Sequence, residues 1–190
     1  MATVILRARQ ALKRALARAP ALALALLAAG MTCAGSLDTT VKAVDLCKFA
    51  PFVDWPPDAI GPAHAPVVLC VVGNDPFGSV LDRAVARQQV GDHPILVRRM
   101  AVALPNPPCQ IMFLGGSPTQ PIAEALRLEQ SAPVLTVTDG SNPAGIIDFV
   151  VERGRVRFRI DEAAAAAHGL TIRAQLLKLA TSVTPRPRAH

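Results

Sequence analysis

The chain has 190 residues, 51% of them hydrophobic, and twenty Lys and Arg against fourteen Asp and Glu give it a formal charge of +6. Five of those basic residues and none of the acidic ones fall in the first 35 positions, so the remainder carries only +1 and lacks the basic excess that nucleic-acid binding requires. The four histidines, at 64, 93, 168 and 190, show no metal-ligand spacing with one another or with the four cysteines, and no cofactor is implied.

Arg7, Arg9, Lys13, Arg14 and Arg18 precede an apolar run over 20–30, PALALALLAAG. The run is shorter than the ~20 residues a spanning helix needs, so it reads as the apolar core of a secretory signal over 1–35, cleaved between about 30 and 36. An uncleaved segment anchored in the inner membrane is the alternative. A lipid-attachment reading of Cys33 is poorly supported, because Met31 and Thr32 precede it. Residues 36–182 are then long enough for one domain with a single substantial core, and the Pro- and Arg-rich 183–190 is expected to be a disordered tail.

From Asp38 to Val53, Val41, Val44, Leu46, Phe49, Phe52 and Val53 recur at three- and four-residue steps, which predicts an amphipathic helix. A Pro-rich surface loop, WPPDAIGPAHAP, follows it. Strand-like runs at 66–72, 94–100, 110–114 and 133–138 alternate with helical spacing at 77–89 and 118–130. That alternation predicts an α/β fold, a single layered domain with a mixed β-sheet flanked by helices.

The segment GIIDFVVERGRVRFRI holds two alternating runs around Arg153-Gly154. With those two residues as the turn, Val151/Val156, Phe149/Phe158 and Ile147/Ile160 share a core face. Glu152/Arg155, Val150/Arg157 and Asp148/Arg159 share the other, which gives two opposite-charge pairs worth about 0.2–1 kcal/mol each if exposed. Beyond this C-terminal hairpin, Asp161 is placed to start a helix, Gly169 to interrupt it, and a final helix to bury Leu176, Leu177 and Leu179.

Five ordered segments, VKAVDLCKFAPFVDWP, LCVVGNDPFGSVLD, CQIMFLG, VLTVTD and RVRFRIDEAAAAAHGLTIRAQLLKLA, resemble the successive motifs of the YfiR family of periplasmic proteins, over about Thr40 to Ala180. The resemblance implies a secreted α/β domain that binds the periplasmic domain of a membrane diguanylate cyclase and represses it, lowering cyclic-di-GMP output and biofilm formation. It also implies relief by an outer-membrane lipoprotein or other periplasmic partner, and dependence on disulfides. Position 47, usually aromatic in the family, is Cys here; segments usually like GGMINF and FEIN read AGIIDF and FRID. The last two changes place Asp148 opposite Arg159, as a structural charge pair.

Cys70 lies inside an apolar strand and Cys109 opens the next one; in an exported protein such residues pair rather than react, and the resemblance points to a disulfide between them. Two buried free thiols are the alternative. Catalysis by Cys70 lacks a placed base, and no carboxylate pair or Ser-His-Asp set can be assembled, so a non-enzyme is expected. In GNDPFG, Asn74 or Asp75 is expected to cap the following helix with Pro76 and Phe77 fixing its entry; the same residues, Asn74, Asp75 and Phe77, are candidates for a partner-binding lip. Trp55 is either an exposed interface anchor or a cover for the core, and Arg157 and Arg159 either a solvated face or a contact for an acidic partner. A periplasmic small-molecule sensor for another envelope receptor or kinase is the alternative function, and self-association into a homodimer is open.

Overall fold

Ala43, Leu46, Phe49 and Ala50 fall on one side of the first helix and its continuation, and all are buried. This helix, α1 (Cys33–Phe49), gives way to a 3-10 turn at Ala50–Phe52, where Pro51 lacks the N–H that a longer helix would use. The computed structural model describes residues 33–129 and 132–187; the expected signal segment up to residue 32 and the last three residues lie outside them. The helix therefore stops short of the predicted Val53, which instead opens a strand.

The chain continues through β1 (Val53–Asp54), β2 (Val67–Gly73), α2 (Ser79–Val85), β3 (Gln89–Val90), β4 (His93–Met100), β5 (Ile111–Gly116), α3 (Ile122–Leu128) and β6 (Leu135–Asp139). It ends with β7 (Ile147–Glu152), β8 (Arg155–Asp161), α4 (Glu162–Ala167), β9 (Thr171–Ile172), α5 (Ala174–Leu177) and β10 (Ser182–Thr184). An eight-stranded mixed sheet has the order β10-β8-β7-β6-β5-β2-β4-β3, and β1 pairs with β9 in a separate antiparallel ladder. The strands from β4 to β7 across the middle of the sheet are parallel, and the near-continuous apolar sequences of β2, β5 and β6 follow from burial on both faces, whereas β4 buries only Ile95.

The period of two along each strand divides the core. Leu69, Val71, Ile111, Phe113, Leu135 and Val137 pack with α1 and with Leu81 of α2. Cys70, Val72, Met112 and Leu114 turn the other way, against Ala125 of α3 and the crossover residues Ala103 and Cys109. Each such buried side chain contributes about 1.5–3 kcal/mol relative to exposure. Cys70 and Cys109 are joined by a disulfide with Cα atoms 5.9 Å apart, which ties the central strand β2 to the long connection entering β5. Gln110 braces the same junction: its Oε1 accepts from Val68 N at 2.7 Å, and its Nε2 donates to Ala59 O at 2.8 Å.

The β7–β8 hairpin has the predicted register from Ile147↔Ile160 to Glu152↔Arg155. Arg153 and Gly154 both take positive φ, 52° and 69°, as a two-residue turn matched to strand twist demands. Its core face holds at Phe149, Phe158, Ile147 and Ile160, but near the tip Val151 is 53% exposed while Val150 is buried. On the outer face Asp148 and Val150 of β7 are covered, while Arg157 and Arg159 of β8 stay exposed.

Two predictions at the C-terminus need correction. The final helix is a single turn, Ala174–Leu177; it buries Leu176, leaves Leu177 partly covered and leaves Leu179 64% exposed. Ser182–Thr184 then pairs in parallel with Arg159–Asp161, so Val183 and Thr184 are strand residues and not part of a frayed tail. At the opposite edge, β3 covers only His93 and Pro94 of β4; among the described residues no strand pairs with the outer side of 95–100.

Candidate partner-binding site

At the carboxyl end of β2 the residues expected to form a lip are fixed from beneath. Gly73 (φ 78°) and Gly115 bring two strand ends into contact: a Cβ on Gly73 would overlap the Gly116 carbonyl, and one on Gly115 the Asn74 carbonyl. Asn74 N donates to Gly116 O at 2.9 Å. Asp75 Oδ1 then accepts from the N–H groups of Phe77 (2.7 Å) and Gly78 (3.1 Å), a side-chain turn that delays the start of α2 to Ser79. Its Oδ2 accepts from Arg99 Nε at 2.7 Å, and the same guanidinium reaches Asp82 at 3.0 and 3.1 Å and Gly78 O at 2.8 Å. Partial burial alone would raise the Asp75 carboxyl; the Arg99 hydrogen bond and the two backbone N–H groups outweigh it and hold the group below its ordinary range.

This geometry separates the proposed lip residues. Phe77 is 3% exposed and meets Phe113 edge-to-face at 4.7 Å, so it belongs to the core and does not offer a partner contact. Asp75 is a clamp within the fold. Asn74 and Pro76 remain on the surface. Trp55 packs half-buried against the larger core, with its Nε1 enclosed and unpaired, so it covers the core and does not present a free indole.

Arg157 and Arg159 are exposed on β8, opposite Val150 and Asp148. The expected ion pair between Asp148 and Arg159 does not form. Asp148 is 5% exposed, and its Oδ1 accepts instead from Thr138 Oγ1 at 2.6 Å and Ser141 N at 3.3 Å. The register set the two residues opposite each other, but hydroxyl and amide donors from the neighbouring strand and loop captured the carboxylate first. Glu152 and Arg155, in register at the hairpin end, likewise form no ion pair within 4 Å.

Those donors belong to a feature that sequence reading passed over. The β6–β7 connection returns to a parallel neighbour in only the span 140–146, with a cis peptide at Asn142-Pro143. It is held by side chains of β6: Gly145 N donates to Thr138 Oγ1 and Ile146 N to Thr136 Oγ1, each at 3.0 Å. Lys42 of α1 grips Asp139 at its start through both carboxylate oxygens, at 2.8 and 2.7 Å. Ser141 lies in this loop between the lip and the arginine face: it lines one cleft with Asn74 and Pro76 and another with Asp148 and Arg159. The signal for it in the sequence is the density of turn formers in DGSNPAG.

Cys70, being disulfide-bonded, has no thiol to act as a nucleophile. Cys47 is a buried free thiol whose Sγ lies 3.1 Å from Ala43 O, and burial pushes it up to about 11. Glu129, at the end of α3, is fully enclosed with neither carboxylate oxygen hydrogen-bonded among the described residues, and burial raises it to about 7. Among the described residues no group of His, Cys, Asp or Glu could hold a metal, and no helix is long and apolar enough to cross a membrane. Comparison with known families finds a match to the YfiR/HmsC-like model over residues 39–181. No curated protein matches the chain.

Proposed function

Because the chain belongs to the YfiR/HmsC-like family, whose members regulate diguanylate cyclase signalling from the periplasm, we propose that it binds the periplasmic domain of a membrane diguanylate cyclase and represses it. The observation that carries this reading is the match over 39–181, which spans every strand of the main sheet up to β8 together with the disulfide. The role is non-enzymatic: the protein lowers cyclic-di-GMP output and biofilm formation by contact alone. An outer-membrane lipoprotein that sequesters it would relieve the repression.

Contact represses only if it favours the inhibited conformation of the cyclase over the active one, since equal affinity for both shifts nothing. The contact face proposed for it comprises Asn74 and Pro76 at the lip and Arg157 and Arg159, all exposed, the two arginines suiting an acidic partner face. The test is cyclic-di-GMP measured in a strain lacking the gene while the candidate cyclase is expressed. A raised level with increased surface attachment is expected. An unchanged level rejects the repressor role.

A further inference from the structure

The Asp148–Arg159 pair is open where a closed ion pair was expected, and the opening is a cleft. It encloses about 400 Å³ between the 141–145 loop, the end of β8 and β10, within the range of small-molecule sites. Asp148 lines it, 95% covered by the fold, with Oδ1 committed to Thr138 and Ser141 and Oδ2 accepting no hydrogen bond among the described residues. Arg159 lines the same cleft, and among the described residues no carboxylate is bound to its guanidinium. Asp161 is already engaged, its Oδ1 accepting from Ala164 N at 2.8 Å at the start of α4. Ser141, Ser182 and Thr184 add hydroxyl groups to the wall.

We propose that this cleft binds a small zwitterion of the free amino-acid class, its ammonium on Asp148 Oδ2 and its carboxylate on Arg159. A ligand with only one charge would meet only one of the two: an anion would leave the covered Asp148 carboxylate unpaired, and a cation would leave Arg159 to water. A zwitterion closes both at once, and the hydroxyls are placed to bond its remaining polar atoms. The carboxylate is fixed in direction by Thr138 and Ser141 before any ligand arrives, so little ordering is lost on binding. The cleft shares Ser141 with the one beside Asn74 and Pro76 and Arg159 with the face offered to a partner, but binding of an amino acid is read without any cyclase present.

Calorimetry on the purified full-length exported protein, with L-alanine, L-serine, L-leucine and L-phenylalanine as probes, tests the assignment independently of any cyclase. At least one is expected to bind with a dissociation constant of about 1 mM or tighter, and to raise the melting temperature. The matching amino alcohol, which lacks the carboxylate, and the matching deaminated acid are each expected to bind at least about tenfold more weakly, the loss a charge-assisted hydrogen bond implies. Arg159→Gln, at an exposed position with no side-chain hydrogen bond or ion pair among the described residues, should lose about tenfold in affinity with its melting temperature unchanged. Asp148→Asn should do the same if it folds. Absence of binding by all four amino acids, equal binding of the amino alcohol, or unaltered affinity in Arg159→Gln would each overturn the assignment.

Discussion

Gly115 lies so close to Asn74 that a single methyl group at its Cα would occupy the space of the Asn74 carbonyl oxygen. The lip therefore rests directly on the end of β5, backbone against backbone. Gly115→Ala must push the two strand ends apart and is expected to lower stability by roughly 1–3 kcal/mol, in the manner of an overpacked core. Chemical denaturation of the variant checks this, and a loss within a few tenths of a kcal/mol would show that the lip is free to move. Gly78, which has open space around it, is the contrasting position on the same loop.

Glu129 provides a pH dependence with a definite sign. Below about 4.5 its carboxyl is protonated in both folded and unfolded chains; between there and about 7 the unfolded chain releases a proton that the folded one keeps. Stability therefore falls across that window and stays low above it. At about 1.4 kcal/mol for each pKa unit, the loss amounts to roughly 3 kcal/mol. Glu129→Gln should raise the melting temperature at pH 8 and leave it nearly unchanged at pH 4, and melting curves at both values decide the matter.

The Cys70–Cys109 bond closes a loop with a sequence separation of 39. In the chain-entropy account such closure stabilises by about 4 kcal/mol, a large part of a typical domain's 5–15. Cys109→Ser is thus expected to cost about that much and, on the proposed repressor role, to raise cyclic-di-GMP in cells by lowering the amount of folded protein. A variant that melts within a degree or two of the parent would refute the first expectation.

Cys47 should be the one thiol titrated in the denatured, unreduced protein after loss of residues 1–35. Three would mean that the disulfide is absent, and none would mean that Cys47 pairs between chains. In the native protein the same thiol should resist alkylation, because it is 1% exposed and burial keeps it protonated up to about 11.

How far the sequence reached depended on whether neighbours along the chain were enough. The β7–β8 register was legible to the residue because alternation and an Arg-Gly turn are local signals. The fate of Asp148 was not, because its partners, Thr138 and Ser141, arrive from another strand and a tight crossover whose path no local pattern announces. Leu179 fails as a core residue, and Leu177 is only partly covered against the core, for a similar reason. Their spacing suits a longer helix, but the chain turns away after Leu177 to place β10 beside β8. Phe77 and Trp55 were candidates for the surface because loops carry function, yet each loop folds its aromatic ring back onto apolar neighbours.

The outer side of β4 has a bearing on how copies of this protein behave toward one another. A strand edge left open over 95–100 is a template for sheet growth, and no helix or loop strand among the described residues pairs with it. Pro94 withholds one donor at its start, and Arg98 projects charge from its exposed middle beside a half-exposed Leu96. Two such edges brought together would set like charges against each other, which disfavours chain-to-chain growth. Resistance of this edge to sheet growth thus depends in part on one arginine, and replacing Arg98 with a β-branched apolar residue would turn a guarded margin into an adhesive one.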